Sequence, residues 1–178
     1  MEDRPDNILV EQAARGDGES FTELCRRYYV PLVAIGHAIL GDRHLAEDAA
    51  QEAFAKAAVY LPKLRNADHF GRWVAAICRN EARDLSRARR QPRIDDETPP
   101  AQVPPRADET GEVVKAALSQ LSSDAREVVF LRFYDGLSYD QISAVLGISE
   151  QAINGRLRRA KKKLAEHLRR HGFDEVDL

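Results

Sequence analysis

LSYDQISAVLGISEQAINGRLRRAKKKL, running from Leu137 to Leu164, is the stretch that decides the fold. Its segment Ser138-Tyr139-Asp140-Gln141 is a capping box: the Ser138 hydroxyl can accept from the Gln141 amide while the Gln141 side chain reaches back to Ser138. A short helix carrying Ile142, Val145 and Leu146 follows, and Gly147 ends it. Ser149 then caps a longer helix in which Ile153, Leu157, Ala160, Leu164 and Leu168 recur every three or four residues, with basic side chains on the other faces. Short helix, glycine-containing turn, long basic helix is the helix-turn-helix pattern, whose second helix enters the major groove of duplex DNA. Glu150, Gln151 and Asn154 can then meet base edges, while Arg156, Arg158, Arg159 and Lys161 to Lys163 sit against phosphates. Two helices upstream, near Glu112 to Leu121 and Ser123 to Tyr134, complete a four-helix unit.

Working toward the N-terminus, five of the eight prolines (Pro92, Pro99, Pro100, Pro104 and Pro105) fall in one acidic stretch with almost no large apolar residue. Neither helix nor core suits that composition. The expected organisation is a helical domain over 1–90, a Pro-rich acidic linker over 91–111, a helix-turn-helix domain over 112–172 and a tail over 173–178. The fold class is therefore all-α, two small helical domains on a flexible linker.

Within the first domain, Ser20-Phe21-Thr22-Glu23 reads as another capping box and a helix start. Pro31 interrupts or kinks that helix, and Gly41 followed by Asp42 reads as a stop and a new N-cap. Leu45, Ala49, Ala53, Phe54 and Ala57 then keep a helical stripe as far as Leu61-Pro62. A third long helix is expected from Asp68 through Phe70, Trp73, Val74, Ile77, Ala82 and Leu85 to Pro92.

Composition closes several classes. A chain of 178 residues with 43% hydrophobic and 31% charged residues has the balance of a soluble globular protein. No apolar run approaches the roughly 18 residues that span a bilayer, and the acidic start is unlike a secretory leader, so no membrane insertion and a cytoplasmic location are expected. Cys25 and Cys78 lie far apart with no zinc spacing, and each reads as a small buried hydrophobe in a reducing compartment. No phosphate-cradling glycine loop and no nucleophile elbow occurs, so neither catalytic residues nor a metal or cofactor are expected.

The net charge of −2 conceals strong segregation. Arg156 to Arg170 holds eight basic residues against the single acid Glu166, whereas the proline-rich stretch is acidic. Two more clusters stand out in the first domain. Glu47, Asp48, Gln51 and Glu52 share one helix face, where the like-charged Asp48 and Glu52 invite an external basic partner or simply face solvent. Arg72, Arg79, Arg83 and Arg90 recur along the third helix, opposite Trp73 and Ile77, with Asn80, Asp84 and Arg87 flanking. Such a row suits a phosphate backbone, and the polar loop Lys63 to His69 before it is long enough to reach around an unstacked base.

Taken in order, LGDRHLAEDAAQEAFAKA (Leu40 to Ala57), FGRWVAAICRNEARDLSRARR (Phe70 to Arg90) and the opening helix-turn-helix stretch resemble a bacterial RNA polymerase sigma factor of the extracytoplasmic-function group. The resemblance covers nearly the whole chain from Ser20 to Leu168. It implies that the first domain is region 2 and the second region 4. Asp48, Gln51 and Glu52 would dock on the clamp helices of the largest subunit of core RNA polymerase. The loop with Lys63, Arg65, Asn66 and His69 would capture a flipped base of the melted non-template strand. Arg72, Arg79, Asn80 and Arg83 would hold that minus-ten element. Ser149 to Arg159 would read the minus-35 element as duplex promoter DNA. Where the family carries a threonine and a lysine after the cap, this chain has Ala152 and Asn154. An anti-sigma factor is a further partner the family implies. The other readings are a helix-turn-helix regulator acting without core polymerase and a helical interaction protein with no DNA role. Co-purification with core enzyme separates the first, and absence of salt-dependent DNA affinity the second.

Overall fold

Side-chain caps set most helix ends in this chain, and the computed structural model describes them over residues 4–90 and 109–173. Most of the expected linker and tail lie outside those residues. Helix α1 (Asp6–Ala14) was not anticipated: Pro5 precedes it with no capping side chain, yet Leu9 and Val10 are buried. Helix α2 (Gly18–Leu40) begins earlier than the Ser20 box predicts. Asp17 is its cap and accepts from the amides of Glu19 and Ser20 at 3.0 and 3.4 Å. Ser20 is instead fully buried, its hydroxyl 2.6 Å from Asp17 Oδ2 and 2.9 Å from Gln12 Oε1, and Glu23 pairs with Arg27. Pro31 does not end α2. It removes one backbone donor, but Leu32 to Ile35 beyond it are all buried, and that burial outweighs a lost hydrogen bond.

Gly41 and Asp42 behave as their types predict. Gly41 takes φ 65°, and the Asp42 carboxylate accepts from the Leu45 amide at 3.2 Å to start α3 (Arg43–Tyr60). Its buried stripe is Ala46, Ala49, Ala50, Ala53, Phe54 and Ala57, with Leu45 only half-buried. Small residues there let α2 and α4 approach closely. A 3-10 turn (Leu61–Lys63) leads to a second one (Ala67–His69), whose cap is Asn66, accepting from the Asp68 amide at 2.9 Å, rather than Asp68 itself. Helix α4 (Phe70–Arg90) follows directly. Phe70, Val74, Ala75, Cys78 and Ala82 form its buried face, while Trp73 and Ile77 lie on the flank.

The second unit comprises α5 (Glu109–Ser119), α6 (Ser123–Val129) capped by Ser122, a π-helical turn (Phe130–Tyr134), α7 (Tyr139–Leu146) and α8 (Glu150–Arg170). Helix α5 starts three residues before the expected Glu112, and the expected single helix to Tyr134 widens into the π-turn. The Ser138 box is formed on both sides, 2.8 Å and 3.2 Å. No strand occurs among the described residues, as the all-α expectation requires.

The two units do not stand apart. Their buried side chains form one continuous cluster, with α6 and the π-turn on α2 and α7 on α4. At the first seam the His37 ring meets Phe130 and Tyr134 edge-on, at centroid distances of 4.8 and 5.2 Å. Arg126 donates to the Ala38 carbonyl at 3.2 Å beside it.

Candidate nucleic-acid interface

The turn between α7 and α8 is built from the backbone outward. Gly147 has φ 66°, a left-handed conformation that favours glycine, and its amide donates to the Ser143 carbonyl at 2.8 Å. Ser149 then caps α8 by accepting from Ala152 at 3.3 Å. Ile153, Leu157, Ala160, Leu164 and Leu168 face the core, which leaves Glu150, Gln151, Asn154, Arg158 and Arg159 exposed on the outer side. Arg156 is half-buried and pairs with Asp124 of α6 at 3.2 Å.

A second polar surface lies at the start of α4. Lys63, Arg65, Asn66 and His69 are all exposed, and the loop they line opens onto a cavity of about 450 Å³ bounded also by Leu64, Arg72, Trp73 and Arg79. Lys63 stands over the Tyr60 ring at 5.4 Å. The Asn66 carboxamide oxygen is already engaged as a cap, which leaves its NH₂ group outward. Arg72, Asn80 and Arg83 are exposed along α4. Arg79 departs from the expected row: its Nε lies 2.7 Å from Glu127 Oε1 of α6. Burial pushes the Glu127 carboxyl up, and the Arg79 guanidinium opposes that shift. The Arg90 side chain lies outside the described residues.

The third cluster is a flat acidic face. Asp48, Gln51 and Glu52 are exposed on α3. Glu47 is tied to Arg43 at 3.0 Å, and Glu52 lies 3.7 Å from Lys56, which itself reaches Glu81 of α4 at 2.6 Å. Like-charged spacing on α3 is thus eased by cations of its own.

Cys78 is fully buried, its thiol 3.3 Å from the Leu32 carbonyl and pushed up to about 12 by burial, while Cys25 is half-buried. Among the described residues no group of three or more His, Cys, Asp or Glu side chains is placed to hold a metal. No described helix is long and apolar enough to cross a membrane. Sequence reasoning missed two residues of the site, Glu127 and Leu146. Glu127 was visible as an acid four residues before Leu131 on the buried side of α6, and Leu146 as the last apolar residue before the turn.

Two helical units, one of them a helix-turn-helix, with exposed arginine and amide side chains define the class of a DNA-binding transcription factor. The Sigma-70 region 2 model matches residues 24–91 and the Sigma-70, region 4 model matches residues 112–164. RNA polymerase sigma-H factor of Pseudomonas aeruginosa is 31% identical over 92% of this chain and 93% of its own. RNA polymerase sigma factor CnrH of Cupriavidus metallidurans is 30% identical over 90% of this chain and 92% of its own. The solved structure of CnrH in complex with the cytosolic domain of CnrY superposes with TM-score 0.63 at 29% identity, covering 93% of this chain and 97% of that one. The sigma factor RpoE in complex with the anti-sigma factor NepR from Bartonella quintana gives TM-score 0.54 at 26% identity, covering 85% and 98%. The chain belongs to the sigma-70 family of RNA polymerase sigma factors, in the extracytoplasmic-function group. It is a transcription initiation factor that directs core RNA polymerase to promoters.

Proposed function

We propose that the work is divided between the two units along the surfaces described above. The first unit, residues 1–90, binds core polymerase and the melted minus-ten strand. Asp48, Gln51 and Glu52 meet the clamp helices of the largest subunit, Lys63, Arg65, Asn66 and His69 surround a flipped base, and Arg72, Arg79, Asn80 and Arg83 hold the backbone. The second unit, residues 112–172, anchors on minus-35 duplex through Ser149, Glu150, Gln151, Asn154, Arg156, Arg158 and Arg159, and the chain between joins it to the first. The chain acts in the cytoplasm, has no catalytic group of its own, and is restrained by an anti-sigma factor.

One observation supports this division best: the exposed loop over 63–69 opens on a cavity edged by Trp73 and arginines, while the exposed first turns of α8 carry amide and guanidinium side chains. The cavity suits an unstacked base, and the helix suits a groove. Run-off transcription with purified core enzyme on one promoter, double-stranded or pre-melted around minus ten, tests it. Arg83→Ala should reduce open-complex formation on both templates. Arg158→Ala should weaken duplex binding about uniformly with sequence and lower the salt slope by about one. Wild-type behaviour of both variants would reject the division.

A further inference from the structure

We propose that Gly155 and Arg159 together form a specificity element on α8: the glycine leaves a notch at the centre of the outward face, and the Arg159 guanidinium lies across it to read a guanine edge in the minus-35 duplex. This inference rests on the assignment of α8 to that duplex. It gives Arg159 a task different from the phosphate contact that its charge alone suggests.

Gly155 stands two residues from Ile153 and two from Leu157, both buried. At about 100° per residue it therefore lies on the side of α8 directly away from the core, in line with the exposed Gln151, Arg158 and Lys162. The interior of a 21-residue helix suits glycine worse than any residue but proline. A left-handed backbone does not explain its presence, because the glycines at positive φ are Gly16, Gly41, Gly136, Gly147 and Gly172. Crowding within the chain does not explain it either. A Cβ at this position would meet only the Arg159 guanidinium, Nη1 at 3.5 Å and Nη2 at 3.9 Å. What is left is close approach of something outside the chain to the helix backbone, the remaining use of a residue without a side chain.

Arg159 supplies the other half of the element. Helical side chains lean toward the N-terminus, so this one, a turn further on, folds back over Gly155, which is half-buried although it faces outward. Folding back carries the charge about 6 Å, four residues of helical rise, toward the first turns of α8, the part of a recognition helix that meets base edges. Arg156 has Asp124 as its partner at 3.2 Å, whereas Arg159 has no hydrogen-bond or ion-pair partner among the described residues and keeps its donors for a ligand. A planar guanidinium donates to guanine O6 and N7 at once, in a fixed fork that a lysine ammonium does not reproduce. A methyl group at position 155 would lift that fork off the helix and hold the backbone away from the groove floor.

The test uses the full chain bound to core polymerase and a DNA duplex pool randomised across the minus-35 positions, sequenced before and after capture. Wild type should enrich guanine at a minus-35 position. Arg159→Lys, which keeps the charge, and Gly155→Ala should each lower that enrichment about tenfold at the same position, leave the preferences elsewhere unchanged and keep the salt dependence of binding. A melting midpoint of Gly155→Ala no lower than wild type separates this loss from misfolding, and Arg159→Lys, at an exposed side chain, carries the test by itself if the midpoint falls. Guanine preference retained in both variants overturns the inference, as does a loss spread evenly over all positions or confined to another base. If wild type enriches nothing at minus 35, the assignment of α8 has failed; enrichment that both variants keep refutes the notch and leaves that assignment standing.

Discussion

Replacing Gly155 by alanine should stabilise the protein, although the residue sits on the helix that reads DNA. Gly155 lies inside α8 with ordinary helical backbone, so its freedom at positive φ is unused. A Cβ there would meet only the Arg159 guanidinium, Nη1 at 3.5 Å and Nη2 at 3.9 Å, ordinary contacts at the end of a flexible side chain. Helix propensity then favours alanine by about 1 kcal/mol, with part of the gain coming from a less free unfolded chain. If the packed units melt as one body, the midpoint should rise by about 2–4 °C; if the second unit melts alone, by about 4–8 °C. Thermal unfolding followed at 222 nm measures the shift, and calorimetry separates the two cases through the ratio of calorimetric to van't Hoff enthalpy. An unchanged or lowered midpoint would refute the reasoning, because it would mean that the missing side chain relieves something the native helix cannot relieve otherwise.

Phe70→Ala should be far more damaging. The ring is fully buried and packs against Tyr28 and Trp73 at centroid distances of 5.3 and 5.9 Å, so the cavity should cost about 3–5 kcal/mol in a denaturant melt and loosen the loop over 63–69. Cys78 should resist thiol reagents in the native chain, since it is fully buried and burial pushes its thiol up, leaving little thiolate at pH 7; Cys25 should account for whatever reacts before unfolding. Acid should loosen the seam between the units. Burial, then Arg43, holds the His37 imidazole below its ordinary value against Asp42, so the stability it contributes is present above that value, about 6.5, and is lost as pH falls below it. Asp135 and Glu127 at the same seams are shifted upward by burial and act in the opposite sense only in the carboxylate range. Scattering at pH 7.5 and 5.5 should show expansion in the wild type, and none in His37→Gln.

Local chemistry was legible in the sequence and distant chemistry was not. The Ser138 box, the Ser149 cap, Gly41 and Gly147 each act within a few residues, and all four formed as read. Ser20 misled because a serine three residues before a glutamate satisfies the box pattern even when an aspartate upstream, Asp17, takes the cap and buries the serine. The interruption read at Pro31 does not occur, because the proline's local cost is visible in the sequence whereas the burial of Leu32 to Ile35 that offsets it is not. Helix α1 was missed because nothing caps it; Tyr28 and Arg27 of α2 hold its Asp6 from 22 and 21 residues away. Gln151, Asn154, Arg158, Arg83, Lys63, Arg65, Asn66 and His69, singled out by residue type and position along the chain, do lie exposed. Arg79 was read as a contact to promoter DNA; in the chain by itself its guanidinium meets Glu127, 48 positions later, a pairing that no local pattern displays.

The pairing of Arg79 with Glu127 bears on how the two units share charge. Helix α6 offers two acids, and each meets a cation from a different helix: Asp124 meets Arg156 of α8, and Glu127 meets Arg79 of α4. The two pairs are not equivalent. Asp124 is 64% exposed, so its hold on Arg156 is screened by salt and readily surrendered to a phosphate; Glu127 is 9% exposed, so its hold on Arg79 is screened much less. Phosphate binding weakens steeply with salt because counterions are released. Raising ionic strength should therefore disfavour a phosphate at Arg79 more than it disfavours Glu127. Lowering it favours DNA at both surfaces, and under the division proposed above the exposed Asp124 pair should yield to a phosphate before the buried Glu127 pair does.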